Sequence, residues 1–224
     1  MNLTSVFLNV SNREVRRCLA DSHALHVKLM ALFGSVSDGP PRTSLQVLYR
    51  TEVDDRHRSA QVLLQSREAP DFARWSPGLV DEARPPRTIP LEPLLDDLRG
   101  RYRFRLRANA TRKVATKTRA DGTKSNGRRL ALRSDDERLA WLERQCRPSG
   151  FRIAKSDDGS ALVRLLPGGC AFGQRKASRL THEGALFEGV LVVEDANQLR
   201  AAVIRGIGPG KAYGFGLLSL APLR

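Results

Sequence analysis

Two histidines, His23 and His26, stand three residues apart, a spacing that puts both on one face of a helix. Imidazole titrates near neutral pH, so it can take or deliver a proton in acid–base chemistry, or ligate a metal. No cysteine and no third histidine close by in sequence completes a metal set, so neither a metal nor any other cofactor is expected. A lone helical histidine is more often structural than catalytic, and spacing by itself leaves both readings open for His26. His57 and His182 fall in charged turns and carry no expected role. No GxSxG, HExxH or clear carboxylate pair occurs, which removes serine-hydrolase and metalloprotease chemistry.

The run over residues 206–216 sets five glycines around Lys211. A Walker A loop would need glycine and Ser/Thr where Arg205 and Ala212 stand, and the glycine spacing fails the dinucleotide fingerprint as well. What remains is a backbone that can approach another chain closely, with Lys211 as a cation. An RNA phosphate and a neighbouring strand fit that description equally well.

Residues 101–107 alternate at period two, with Tyr102, Phe104 and Leu106 on one face and Arg101, Arg103, Arg105 and Arg107 on the other. A core-facing strand with a cationic outer face is a phosphate platform. A solvated edge strand is the plainer alternative, but four like charges on one face repel, and solvated faces usually mix signs.

The charge count agrees. The 224 residues carry 38 Lys/Arg against 24 Asp/Glu, a formal net charge of +14. Residues 99–133 hold 13 of those bases and one acid, so almost the whole excess sits in one stretch. That pattern implies a polyanionic partner. Arg outnumbers Lys 31 to 7, which favours bidentate phosphate contacts. No run approaches the roughly 20 apolar residues of a membrane span. The N-terminus has no signal-peptide pattern, and Cys18, Cys146 and Cys170 are odd in number with no CxxC. A cytosolic protein without a disulfide framework is expected.

The elements that must position these residues can be read coarsely. Residues 3–10 read as a strand, followed by helices capped by Ser11 or Asn12 and by Asp21 or Ser22, the second ending at Gly34 with Leu25, Leu29, Leu32 and Phe33 inward. Strands near 44–51 and 60–65 flank a charged turn over 52–58, and residues 70–93, rich in Pro and charge, read as irregular or loosely helical, the passage between two halves. After the strand at 101–107 comes a basic loop over 111–129 holding Lys113 and Arg128. Ser134 and Glu137 then form a capping box, with Leu139, Leu142 and Cys146 inward. Strands near 150–155 and 161–166, a Gly-rich segment over 168–183, a strand at 186–193, a helix capped by Asp195 and a last strand at 217–220 follow. The second half thus runs strand, helix, strand, strand, helix, strand, and the first half resembles it with its second helix poorly marked. The expected class is α+β, two tandem ferredoxin-like domains over residues 1–95 and 96–224.

The chain also resembles a known family. Asn12-Arg13-Glu14-Val15-Arg16-Arg17 with His26 after it, Phe104-Arg105-Leu106-Arg107-Ala108-Asn109, Phe187-Glu188-Gly189-Val190-Leu191, and the glycine run continued by Leu217-Leu218-Ser219-Leu220-Ala221-Pro222 carry the resemblance. They are similar, in order and over essentially the whole chain, to the CasE-type CRISPR RNA-processing endoribonucleases of type I-E systems. The resemblance implies two tandem ferredoxin-like (RAMP) domains. It implies metal-independent cleavage at the base of a repeat stem-loop, by attack of the adjacent ribose 2′-hydroxyl. The products would carry a 5′-hydroxyl and a 2′,3′-cyclic phosphate or its opened form, and the RNA would stay bound within Cascade, beside its other subunits.

The family's helical histidine falls on His26. Relatives often have Tyr where His23 stands, so His23 is a second catalytic candidate whose part is open: orienting the 2′-hydroxyl, sharing the proton work, or packing. Relatives commonly have Pro where Ala110 stands. By analogy and local charge, Arg175, Lys176 and Arg179 are expected to grip the stem from a hairpin. Arg103, Arg105 and Arg107 are expected to follow the RNA backbone, aided by Lys113, Arg128 and Lys211. The competing reading is a non-catalytic RNA-binding subunit in which His26 is structural.

Overall fold

The computed structural model describes residues 1–34, 41–54, 58–114, 129–175 and 178–223, without side chains at 41 and 174–180. The first half begins with β1 (Asn2–Leu8), which turns Thr4, Val6 and Leu8 inward. Two short helices follow, α1 (Arg13–Ala20) and α2 (Ser22–Met30), joined at one tight corner. Asn12 and Asp21 start them, each accepting from backbone amides of the first turn (Asn12 Oδ1 from Glu14 N, Asp21 Oδ1 from His23 N, both 2.8 Å). A 3-10 turn, Ala31–Phe33, extends α2 to Gly34, whose positive φ of 68° ends it.

Then come a helical turn α3 (Pro41–Ser44), strands β2 (Leu48–Asp54) and β3 (Ser59–Ser66), a 3-10 turn at Phe72–Arg74 and β4 (Arg87–Pro90). The strands form one antiparallel sheet ordered β2-β3-β1-β4. Two expectations are corrected here. The strand expected from residue 44 starts only at Leu48, because Val47 N and Gln46 N bond back to Arg42 O and Thr43 O (2.9 and 3.2 Å) and close a turn. Within 70–93, expected to be irregular, β4 pairs along the edge of β1, a position that Pro90 tolerates at a strand end. The second helix of this half is reduced, among the described residues, to the turn Phe72–Arg74.

The second half opens with the short helix α4 (Glu92–Leu95), then β5 (Arg101–Ala108). Its alternation is the expected one: Tyr102, Phe104 and Leu106 are buried and Arg101 and Arg103 exposed. A small ribbon, β6 (Thr111–Lys113) against β7 (Arg129–Ala131), bounds residues that lie outside the description. The rest is α5 (Asp135–Cys146) with its Ser134–Glu137 capping box, β8 (Phe151–Ile153), β9 (Val163–Arg175), β10 (Ser178–Val193), α6 (Ala196–Arg205), a 3-10 turn at Lys211–Tyr213 and β11 (Leu218–Pro222).

The sheet order β11-β5-β10-β8 repeats that of the first half, so the chain is two tandem ferredoxin-like folds. The Gly-rich segment over 168–183 belongs to one long hairpin of β9 and β10, whose register shifts between Glu183 and Ala185. Gly168 and Gly184 sit in that shift; a Cβ on Gly168 would lie 2.4 Å from the Gly184 carbonyl carbon, so only glycine lets the strands cross there.

Each half buries its own core. Val6, Leu25, Leu29, Leu32, Val62 and Leu64 lead the first, and Phe104, Leu106, Trp141, Phe151, Phe187 and Leu199 the second. Leu91 and Leu95, expected with the first half, pack with Leu98 into the second core. Polar links carry much of the junction. Tyr49 Oη lies 3.2 Å from Ser22 O and 3.1 Å from Ala212 O, sharing its one proton between α2 and the glycine-rich turn. Buried Gln65 donates to Val203 O and Ile204 O (3.0 and 3.3 Å) near the end of α6. Replacing Tyr49 by Phe leaves its bulk but removes the link, so a loss of about 1–3 kcal/mol is expected in urea unfolding. An unchanged midpoint at unchanged m-value would mean that the halves are held without it.

Candidate active site and nucleic-acid interface

His26 reaches the junction because α2 buries Leu25 and Leu29 against the first core, leaving His26 on the flank that meets the second half. Its ring is half-buried, and Nδ1 is shielded from solvent with no hydrogen-bond partner. Burial, with smaller contributions from the charges of Arg42 and His23, pushes its pKa down to about 4. The imidazole is therefore neutral at pH 7, with one nitrogen free to accept a proton.

Three features pack α2 against the second half. Ser22 Oγ donates to Phe172 O of β9 at 2.6 Å. A Cβ on Gly173 would lie 3.3 Å from the His23 Cβ, so the hairpin passes directly over the first turn of the helix. Beyond it, the 3-10 turn Lys211–Tyr213 lies against α2 and is fastened by Tyr49. Burial lowers the Lys211 pKa, helped by the charges of Arg42 and Arg205. The structure thus brings the helix of His23 and His26 against the turn that holds Lys211.

His182, expected to be an unremarkable turn residue, is also built into this wall. Its Nδ1 lies 3.1 Å from Asn109 Nδ2, its ring stacks on Tyr213 at 4.8 Å between centroids, and Phe215 meets it edge-on at 6.3 Å. The amide donates, so Nδ1 accepts and Nε2 carries the proton. Nε2 is shielded and has no partner, and burial holds the pKa below the usual histidine value. Sequence offered no signal for this, because the partners come from the end of β5 and from the glycine-rich turn.

The arginine face of β5 divides in a way its period-two pattern does not reveal. Arg103 is exposed and lines a shallow groove with Phe104, Arg164 and Ser219. Arg105 is committed: it bonds Glu188 through Nε and Glu52 through Nη1 (2.9 Å). Glu52 also takes Arg50 at 2.9 Å, and Glu188 takes Arg164 at 2.6 Å, so a chain of alternating charges crosses the junction. Burial alone would raise Glu188, but hydrogen bonds from Arg164 and Arg105 hold it below the usual carboxylate range. Arg107 donates to Gly168 O at 2.6 Å and lies over the Phe215 ring at 4.6 Å. Arg105 and Arg107 thus sit as braces between elements.

Lys113 is exposed on β6, while Arg128 and Lys176 lie outside the described residues. Arg175 and Arg179 occupy the far end of the β9–β10 hairpin, where Arg179 pairs with Gln174 and Arg175 with Ser178. Between the two sheets runs a cleft of about 940 Å³ that includes Tyr49, Arg107, Phe172 and Tyr213 in its lining. Among the described residues no three His, Cys, Asp or Glu side chains cluster as a metal set. No helix among them is long and apolar enough to cross a membrane.

Comparison with known proteins agrees along the whole length. The family model described as CRISPR associated protein matches residues 1–222. The CRISPR-associated endoribonuclease Cse3 of Thermus thermophilus is 35% identical over 229 residues, covering 99% of this chain and 100% of that protein. The Cascade subunit CasE of Escherichia coli is 34% identical over 122 residues, 54% of this chain and 57% of CasE. A solved structure of the Thermus Cse3 bound to an RNA representing a pre-cleavage complex superposes with a TM-score of 0.77 at 33% identity, covering 99% of this chain and 98% of that one. The tandem folds, the helix bearing His26 and the glycine-rich turn thus occur in a chain that belongs to the CRISPR-associated protein family, with the CasE-type RNA-processing proteins of the Cascade system.

Proposed function

We propose that this chain is a metal-independent endoribonuclease that cuts precursor CRISPR RNA at the base of the repeat stem-loop and retains the product within Cascade, in the cytoplasm. The observation that carries the reading is His26: a neutral imidazole with an unpartnered nitrogen, on the helix packed against the second fold. The full-length likeness to a named endoribonuclease, and the pre-cleavage RNA complex of that relative, support the same conclusion.

The ribose 2′-oxygen beside the scissile phosphate attacks phosphorus in line and the bond to the 5′-oxygen breaks, leaving a 2′,3′-cyclic phosphate and a 5′-hydroxyl. Neutral His26 takes the 2′ proton, and His23, one helical turn earlier, is assigned the proton delivered to the leaving oxygen. Holding the attacking oxygen in line supplies much of the rate, so the hairpin packed on α2 acts in catalysis as well as affinity. Arg175, Lys176 and Arg179 are assigned to the stem phosphates. Arg103, Lys113 and Arg128 are assigned to the flanking backbone with Lys211, while Arg105 and Arg107 hold the platform's shape. An A-form stem offers little to side chains in its narrow major groove, so phosphate contacts dominate.

Three outcomes are expected. In excess EDTA the protein makes one cut in repeat RNA, abolished by a single 2′-deoxy substitution and by His26→Ala; tight binding without any cut would leave only an RNA-binding subunit. Because the free His26 pKa is about 4, loss of the base does not lower kcat/KM as pH falls from 7 until near that value. A decline centred near 6.5 would contradict the neutral-base role. Alanine at Arg175, Lys176 and Arg179 together weakens binding and reduces the slope of log affinity against log salt by about 2–3. Unchanged affinity and slope would remove the hairpin from the interface.

A further inference from the structure

Helix α2 is nine residues long, too short to hold its own place, so its outside links decide where His23 and His26 stand. Toward its end, Leu25 and Leu29 bury in the first core and Lys28 O accepts from Trp75 Nε1 at 2.9 Å. At its start, Ser22 carries two links of different kinds. Its carbonyl lies 3.2 Å from Tyr49 Oη, which ties it to β2 and to the glycine-rich turn. Its hydroxyl donates to Phe172 O of β9 at 2.6 Å. The residue just ahead of His23 is thus fastened to both halves of the molecule.

The next residue of β9 makes that contact possible. Gly173 has no positive φ, so glycine serves there for space and not for backbone freedom. An added Cβ would lie 3.3 Å from His23 Cβ and 3.4 Å from both His23 N and Asp21 Oδ1. That oxygen is the helix cap, 2.8 Å from His23 N. Strand β9 therefore runs against the cap and against His23 with no side chain between them. Two residues further along the same strand stands Arg175, assigned above to the stem, about 7 Å on in extended backbone. One strand thus touches the start of the catalytic helix and leads straight into the grip on the RNA.

We propose that Ser22 is a positioning residue: its hydrogen bond to Phe172, admitted by Gly173, couples the hairpin's hold on the RNA stem to the placement of His23 and His26. The inference rests on the ribonuclease reading above. Ser22 meets no reacting atom. When the stem seats on the hairpin, β9 fixes the start of α2, and the two imidazoles meet the scissile phosphate in register. Part of the stem's binding energy is then spent on orientation at a distance, and it enters the rate as well as the affinity.

The test measures single-turnover cleavage at saturating protein, with RNA affinity measured separately, on the stem-loop repeat and on a repeat altered so that its stem cannot pair. The wild type is expected to cut the paired stem faster even at saturation. Ser22→Ala should cut the stem-loop about 10-fold more slowly with a Kd close to that of the wild type, and should lose most of the preference in rate for a paired stem. Ser22→Thr keeps the hydroxyl and should recover rate. Gly173→Ala leaves Ser22 intact but wedges the strand off the helix, and should repeat the Ser22→Ala pattern. A wild-type rate in Ser22→Ala overturns the proposal. An equal loss on paired and unpaired RNA does so too, as does a loss of affinity that accounts for the whole loss of rate. If the wild type cuts no repeat RNA, the ribonuclease reading fails, and a second arm decides alone by following the His23 and His26 rings by NMR as stem-loop RNA is added. Shifts seen in the wild type and lost in Ser22→Ala at equal occupancy keep the coupling; equal shifts, or none in the wild type, remove it.

Discussion

One phenolic proton, shared by Tyr49 between the carbonyls of Ser22 and Ala212, joins the helix that carries His26 to the turn that carries Lys211. Each ferredoxin-like half closes a core of its own, so neither core alone fixes the angle between them. That angle depends on a short list of links: Tyr49, Gln65 near the end of α6, the contact of Leu48 with Gly206, and the charge chain through Glu52. Oriented polar links of this kind hold a geometry that non-directional apolar contact would leave loose. Burial is what makes the tyrosine reliable, since it pushes the phenol well above its ordinary pKa and keeps the proton in place.

Charge divides into two populations with different work. Arg50, Arg105 and Arg164 alternate with Glu52 and Glu188, and Arg50 also reaches Ser219 Oγ of β11 at 2.9 Å. Removing one member of such a chain leaves its neighbours short of a counter-charge, so these arginines are bound to the fold first. Lys211 belongs to a second population, with no acid beside it among the described residues, and it sits in the turn packed against the helix of His26. A formal charge of +14 therefore overstates what is free to meet a phosphate.

The glycine-rich turn joins the two themes. Its Tyr213 and Phe215 are stacked by His182 and Arg107, and Asn109 fixes the tautomer of His182. A backbone with several positive φ values (Gly206, Gly208, Gly210, Gly214, Gly216) would wander without such bracing. The stack holds it against α2, and its cation therefore arrives at a fixed place.

Whatever depends on neighbours along the chain was legible in the sequence. Alternation in residues 101–107 oriented β5, Asn12, Asp21, Ser134 and Asp195 started their helices, and the order of elements in the second half implied its topology. His26 and Lys211 could be picked out, because imidazole chemistry and glycine spacing are local features, and because the chain resembles a family. Long-range pairing was not legible: the full length of the β9–β10 hairpin, the edge strand β4 inside a Pro-rich stretch, and the passing of Leu91 and Leu95 to the second core. Nor could period-two spacing distinguish Arg103, which faces water, from Arg105, which faces two carboxylates. His182 gained its surroundings only when β10 met the glycine-rich turn and the end of β5. Sequence decides what each residue can do and which face it is on; the tertiary structure decides which charges are already answered, because a counter-charge can come from any distance along the chain.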